Sequence, residues 1–73
     1  MRGTNEENML LMTKIRLDLG WSKQKLSFRS EISPSDIGRF ESGRLKPYDN
    51  QLRRMALALG IDEAKARSLL EEV

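Results

Sequence analysis

Apolar residues recur every three or four positions along most of this chain, which is the spacing of one face of an α-helix. The pattern predicts five helices, at about residues 5–19, 23–30, 34–42, 50–59 and 63–72. The residues expected to face the core are Leu11, Ile15, Leu19, Leu26, Ile32, Ile37, Phe40, Leu52, Met55, Ala56, Leu59, Ala66, Leu69 and Leu70. No stretch of useful length alternates between apolar and polar residues, as a half-buried strand would. The pattern therefore predicts an all-α fold that forms a single domain over residues 1–73.

Polar capping residues and glycines divide this pattern into separate helices. Thr4 and Glu7 fit a capping box before the first helix, which leaves residues 1–3 as a frayed arm. The other expected caps are side chains that can accept a hydrogen bond from a first helical turn, at Ser22, Ser33, Asp49 and Asp62. Glycines that suit the left-handed conformation at a helix end stand at Gly20, Gly43 and Gly60. Each predicted helix is therefore preceded by a cap, and three also end at a glycine.

The segment from Trp21 to Pro47 is the most informative part of the pattern. It predicts two short amphipathic helices joined by a tight turn and followed by a basic loop. In the second of these helices, Ile37 and Phe40 lie on one side. The small and cationic residues on its other faces are Ser35, Gly38, Arg39 and Ser42. A short helix with such outward residues suits the major groove of DNA.

The charge distribution favours the same kind of partner. The net charge is only +2, but residues 21–48 carry six basic and three acidic groups. The flanking segments are close to neutral, with no net charge over residues 1–20 and −1 over residues 49–73. Clustered positive charge favours a polyanion. A solvated surface would account for a charged fraction of 33% equally well, so charge alone leaves both interpretations open.

The composition argues against several other functions. The chain contains neither His nor Cys, which removes the usual general base at neutral pH, the commonest metal ligand and any thiolate. We therefore expect no enzymatic activity, no metal and no cofactor. A chain of 73 residues builds a small core, so no small-molecule ligand is expected. Because the chain lacks an apolar run of membrane-spanning length, we expect a cytoplasmic protein with no membrane partner.

A set of residues spread over about 50 positions has an order and spacing that are specific when taken together. They are Ile15-Arg16, Gly20-Trp21-Ser22, Leu26, Ile32-Ser33, Ile37, Arg39-Phe40-Glu41, Gly43, Pro47, Leu52 and the run from Ala56 to Ile61. With these residues, the chain from about Met9 to Leu70 resembles the lambda-repressor-like DNA-binding domains, which include Cro and the xenobiotic-response-element type regulators. The resemblance implies a compact five-helix fold whose second and third helices form a helix-turn-helix.

The sequence departs from the family pattern at several positions. The family usually has Gln where this chain has Lys23, and Gln24 follows one step later. Glycine often occupies the turn at the position of Glu31. A left-handed Glu31 would cost on the order of 1 kcal/mol, so either the turn differs here or the strain is tolerated.

The resemblance also implies roles for individual residues, with the third helix in the major groove. The base-reading candidates are Pro34, Ser35, Gly38 and Arg39. The candidates for contacts with phosphates are Lys23, Gln24, Ser42, Arg44, Lys46 and Tyr48. Simpler explanations are also open, because Arg39 and the loop cations can be ordinary solvated charges and Gly38 can serve close packing against another helix. A structural ion pair is expected between Arg16 and Glu41.

These features predict a sequence-specific regulator of transcription that binds double-stranded DNA and acts as a repressor. A homodimer on a palindromic site is the expected assembly, because one such helix reads few base pairs. The fifth helix, with Leu69 and Leu70, would then either complete the monomer core or present an apolar stripe to a second copy. The alternative function is a protein-binding adaptor or antitoxin-like partner that uses the same five helices.

Overall fold

Five helices pack around one apolar core in the computed structural model, which describes residues 9–73. They are α1 (Leu11–Asp18), α2 (Lys23–Ser30), α3 (Pro34–Ser42), α4 (Asp49–Leu59) and a C-terminal 3₁₀-helix (Glu63–Leu70). Within the described residues there is no named strand, and a single antiparallel bridge pairs Leu10 with Glu72. The predicted all-α, five-helix fold is confirmed.

Three of the predicted caps are present. Ser22 Oγ accepts a hydrogen bond from the backbone N–H of Lys25 at 3.0 Å at the start of α2. Ser33 Oγ does the same for Asp36 at 3.2 Å in α3, where Pro34 occupies the first turn. Asp62 accepts from the backbone at the start of the 3₁₀-helix. These side chains satisfy N–H groups that have no partner within their own helix.

The prediction that Asp49 caps the fourth helix is wrong. The helix begins at Asp49 itself, and Tyr48 holds the extended conformation that precedes it. The side chain of Gln51 reaches back and accepts a hydrogen bond from the backbone N–H of Tyr48 at 2.8 Å. Asp49 is therefore a first-turn residue, where its negative charge suits the positive end of the helix dipole.

The first helix begins later than predicted. Thr4 and Glu7 lie outside the described residues, but Leu10 is extended, with φ −73° and ψ 154°, so α1 starts only at Leu11. The backbone N–H of Leu11 donates to the carbonyl of Glu71 at 2.7 Å. The N–H of Val73 donates to the carbonyl of Met9 at 3.0 Å. Pairing with the C-terminal segment thus takes the place of helix at Met9 and Leu10.

The fifth helix also differs from its prediction. It is a 3₁₀-helix that ends at Leu70, whereas a helix to residue 72 was expected. Glu71 is extended because its carbonyl pairs with Leu11. Lys65, at φ −107° and ψ 16°, interrupts the helical geometry inside the element. Leu69 is fully buried and Leu70 is partly buried against the core, so this element completes the monomer core.

The core contains most of the residues that the apolar spacing predicted. The buried apolar side chains are Met12, Leu26, Ile32, Ile37, Phe40, Leu52, Met55, Ala56, Leu59, Ala66 and Leu69. In α1 the predicted register was wrong. Met12 and Arg16 are buried, Ile15 is only partly buried, and Leu19 is 47% exposed. Apolar residues lie on more than one face of this helix, and only its packing selects the buried one.

The turn between α2 and α3 contains the one non-glycine residue with a positive φ among the described residues. Glu31 has φ 62° and ψ 38°, so the expected left-handed strain is present and tolerated. Its backbone N–H donates to the carbonyl of Ser27 at 2.8 Å, which closes α2. The turn then carries Ile32 into the core, where the side chain is 4% exposed. Burial of Ile32 offsets the strain at Glu31.

Candidate nucleic-acid interface

One face of α3 is buried and the opposite face is open. Ile37 and Phe40 are almost fully buried and fix the helix on the core. Pro34, Ser35 and Arg39 are exposed on the other side. Three of the four residues that the sequence nominated for base reading therefore share an accessible surface of one short helix. The fourth, Gly38, is half-buried.

Arg39 is the principal polar group on this surface. Its guanidinium donates through Nη1 to Asp36 Oδ1 at 3.2 Å, and its side chain is 58% exposed. This is its only side-chain hydrogen bond within residues 9–73. Most of its N–H donors are consequently available, and an arginine with a free fork can bind guanine through two hydrogen bonds.

Gly38 lies beneath the side chain of Lys23, which comes from the start of α2. A Cβ added at Gly38 would meet only the Lys23 ammonium, at 3.8 Å, which is an ordinary van der Waals distance. Close packing against another helix therefore does not require glycine here. The same distance shows that the Lys23 ammonium lies over the middle of α3, next to the base-reading candidates.

The residues nominated for phosphate contacts lie at the start of α2, at the end of α3 and in the loop that follows α3. All six of them are exposed, namely Lys23, Gln24, Ser42, Arg44, Lys46 and Tyr48. No acceptor within residues 9–73 pairs with the backbone N–H groups of Lys23 and Gln24. Free N–H groups at a helix start favour an anion. The Ser42 hydroxyl donates to the carbonyl of Arg39 at 3.2 Å, so its proton is already used within α3.

Arg16 and Glu41 form a buried, two-point ion pair. Arg16 Nε donates to Glu41 Oε2 at 2.8 Å, and Arg16 Nη2 donates to Glu41 Oε1 at 2.9 Å. Arg16 Nη1 also donates to the carbonyl of Trp21 at 2.8 Å. Both charged side chains are 8% exposed. One guanidinium thus joins α1, the turn before α2 and the last turn of α3, which fixes the orientation of α3.

Two side-chain interactions were not predicted from the sequence. The first is the contact between Asp36 and Arg39, for which the only signal was an Asp–Arg spacing of three residues on a helix. The second is the stacking of Lys25 and Arg29 over the Trp21 ring, at 6.0 and 5.4 Å from its centroid. Both of these α2 cations therefore have an aromatic partner on the residue that precedes the helix cap.

The fold and this surface define a DNA-binding helix-turn-helix domain, with α2 and α3 as its two characteristic helices. The family model for helix-turn-helix proteins of the lambda-repressor/Cro-like type matches residues 12–65, well over half of the chain. The chain belongs to this family. Searches of curated proteins and of solved structures each found no match. Among residues 9–73, no helix is long and apolar enough to cross a membrane.

Proposed function

We propose that the protein is a sequence-specific regulator of transcription that inserts α3 into the major groove of double-stranded DNA. The observation that carries this proposal is the exposed face of α3, where Ser35 and Arg39 stand clear of the core. The buried pair between Arg16 and Glu41 supports it, because a recognition helix must be held in a fixed orientation. The proposed contacts divide into base reading and backbone positioning.

Base reading is assigned to the exposed face of α3. Arg39 donates two hydrogen bonds to O6 and N7 of a guanine. The Ser35 hydroxyl donates to or accepts from a neighbouring base edge. Pro34 offers apolar contact to a thymine methyl group, and Gly38 lets the backbone of α3 approach the bases. Arg39 is the only charged residue among these base-reading residues, so direct contacts distinguish few bases. The shape of the duplex therefore contributes to specificity.

Backbone positioning is assigned to the two flanks of α3. On one flank, Lys23 and Gln24 supply side chains and free backbone N–H groups at the start of α2. On the other flank, Tyr48 and the loop cations face the second phosphate strand. Ser42 joins them by turning its hydroxyl proton from the carbonyl of Arg39 to a phosphate oxygen. The loop cations are Arg44 and Lys46. Phosphate contacts of this kind set the register and make affinity depend on salt.

The proposed assembly on DNA is a homodimer that reads a palindrome. One α3 covers few base pairs, whereas two copies related by a two-fold axis read half-sites about 34 Å apart. Such a dimer represses transcription by occupying duplex that other proteins need. Sedimentation with a palindromic duplex should give two protein copies per site. A single copy on such a duplex contradicts the dimer.

Selection of bound duplexes from a random pool tests the proposed function. We expect one enriched site that contains a guanine, with the preference for that guanine lost in Arg39→Ala. Arg44→Ala should weaken all sites equally and reduce the salt dependence of binding by about one phosphate contact. No enrichment, with binding abolished by moderate salt, would contradict specific recognition. A protein-binding adaptor would instead keep its partner affinity in both variants.

A further inference from the structure

Asp36 lies in the first turn of α3, on the same side as Arg39 and one turn before it. Its carboxylate accepts one hydrogen bond from Arg39 Nη1, at 3.2 Å. The Asp36 side chain is 33% exposed, whereas that of Arg39 is 58% exposed. The carboxylate thus has the more protected position and holds one corner of a largely solvated guanidinium.

We propose that Asp36 is a positioning residue that determines the base specificity of Arg39. This inference rests on the proposed function, because it concerns how the same helix discriminates between bases. Asp36 does not itself need to touch the DNA. It selects which acceptor Arg39 can reach, and so decides whether Arg39 reads sequence or only adds positive charge.

The first step of the argument is geometric. An arginine has five N–H donors in a rigid planar fork, and the Asp36 contact engages one nitrogen of that fork. The remaining donors can still form a parallel pair of bonds with guanine O6 and N7. A guanidinium that is already held at one nitrogen loses less conformational entropy when it binds DNA. This favours one oriented contact with a base over several poorly oriented contacts.

The second step is electrostatic. A free arginine on a DNA-facing helix is attracted to phosphates, which are present at every sequence. A carboxylate beside Arg39 offsets part of that attraction and repels a phosphate that approaches the pair. The guanidinium therefore gains most from an acceptor that lies away from the carboxylate, such as the guanine edge. Removal of Asp36 should strengthen nonspecific binding and weaken discrimination at one base pair.

The test compares selection profiles from the random duplex pool for the wild type and for Asp36→Ala, Asp36→Asn, Arg39→Ala and Asp18→Ala. Asp18 is a matched control, because it also accepts one hydrogen bond from a cation on its own helix. Lys14 Nζ lies 3.4 Å from Asp18 Oδ2, and both side chains are more than half exposed. Asp18→Ala adds the same net charge as Asp36→Ala but leaves α3 unchanged.

We expect Asp36→Ala to lose preference for the same guanine that Arg39→Ala loses, and to keep the other positions of the site. An arginine contact of this type corresponds to about 5- to 150-fold discrimination. Asp36→Ala should reduce this discrimination by about five-fold or more, while Asp18→Ala should leave it unchanged. Affinity for duplexes without the site should rise in Asp36→Ala. Asp36→Asn removes the charge but keeps an oxygen that can accept from Arg39, so it tests the electrostatic step alone. If Asp36→Ala does not fold, a rise in the affinity of Asp36→Asn for duplexes without the site is still expected, and no rise would contradict the electrostatic step.

Three results would overturn the inference, and they identify which proposal fails. If the Asp36 variants keep the guanine preference that Arg39→Ala loses, Asp36 does not position Arg39, and the proposed function stands. If Arg39→Ala keeps the full wild-type site, Arg39 is not the reader and Asp36 has nothing to position. If the wild type enriches no site, the proposed function fails and this inference fails with it.

Discussion

Glu31 holds a backbone conformation that glycine adopts at much lower cost. Its φ of 62° places it in the left-handed region, where a side chain costs roughly 1–2 kcal/mol. We predict that Glu31→Gly raises the free energy of unfolding by about 0.5–1 kcal/mol, since the greater freedom of glycine in the unfolded chain offsets part of the relief. Urea denaturation measures the change. Glu31→Ala removes the same charge but keeps the Cβ, so a comparable gain in that variant would contradict the explanation.

Arg16 should be far more important for stability than an exposed arginine. Arg16→Ala leaves the Glu41 carboxylate buried without its partner, and losses of about 3–5 kcal/mol are typical of such variants. We predict that the free energy of unfolding, measured by urea denaturation, falls by about 3 kcal/mol or more. Arg53, which is exposed on α4, is the control, and Arg53→Ala should change stability by less than about 0.5 kcal/mol. Similar melting temperatures for Arg16→Ala and the wild type would show that the ion pair does not stabilise the fold.

At the scale of the element, α3 contains a glycine that costs stability. Gly38 has helical geometry, and an added Cβ meets only the flexible end of Lys23. Gly38→Ala should therefore raise stability by about 0.5–1 kcal/mol through helix propensity. If α3 approaches the bases closely, the same methyl group should weaken binding to the selected site.

Thermal denaturation and DNA titration of Gly38→Ala, performed together, separate these two effects. Gly43→Ala is the control, because Gly43 has φ 80° and its substitution should lower stability instead. A more stable Gly38→Ala protein with unchanged affinity would show that the α3 backbone does not lie against the bases.

At the scale of the whole molecule, the two ends of the described chain are joined. Leu11 donates to the carbonyl of Glu71, and Val73 donates to that of Met9. Deletion of residues 71–73 removes both bonds and leaves the start of α1 without this partner. We predict a loss of about 1–3 kcal/mol in the free energy of unfolding, measured in urea.

Glu72→Ala is the control for this deletion, because it keeps the backbone that makes these bonds. It should change stability little, since the Glu72 side chain is exposed. A truncated protein as stable as the wild type would mean that the pairing adds nothing to the fold.

The sequence was most informative where the interaction is local. Ser22 and Ser33 cap helices that start within a residue of them, so the short spacing alone predicts the contact. Asp36 and Arg39 are also local, but many pairs with this spacing remain solvated, and the sequence does not distinguish the pair that forms. For the candidate site, Pro34, Ser35 and Arg39 are exposed and Gly38 is half-buried, while the roles of these residues on DNA remain predictions.

The sequence by itself determined the helix count and most of the core, because apolar periodicity and caps act over a few residues. Its resemblance to a known set of residues indicated the family. Tertiary structure decided the buried face of α1, where Met12 rather than Leu19 enters the core. It also decided where α1 begins and where the 3₁₀-helix ends, since Leu11 and Glu71 bond across the length of the chain. Such long-range hydrogen bonds and the packing of one helix face against another depend on neighbours that are distant in sequence, so local patterns do not encode them.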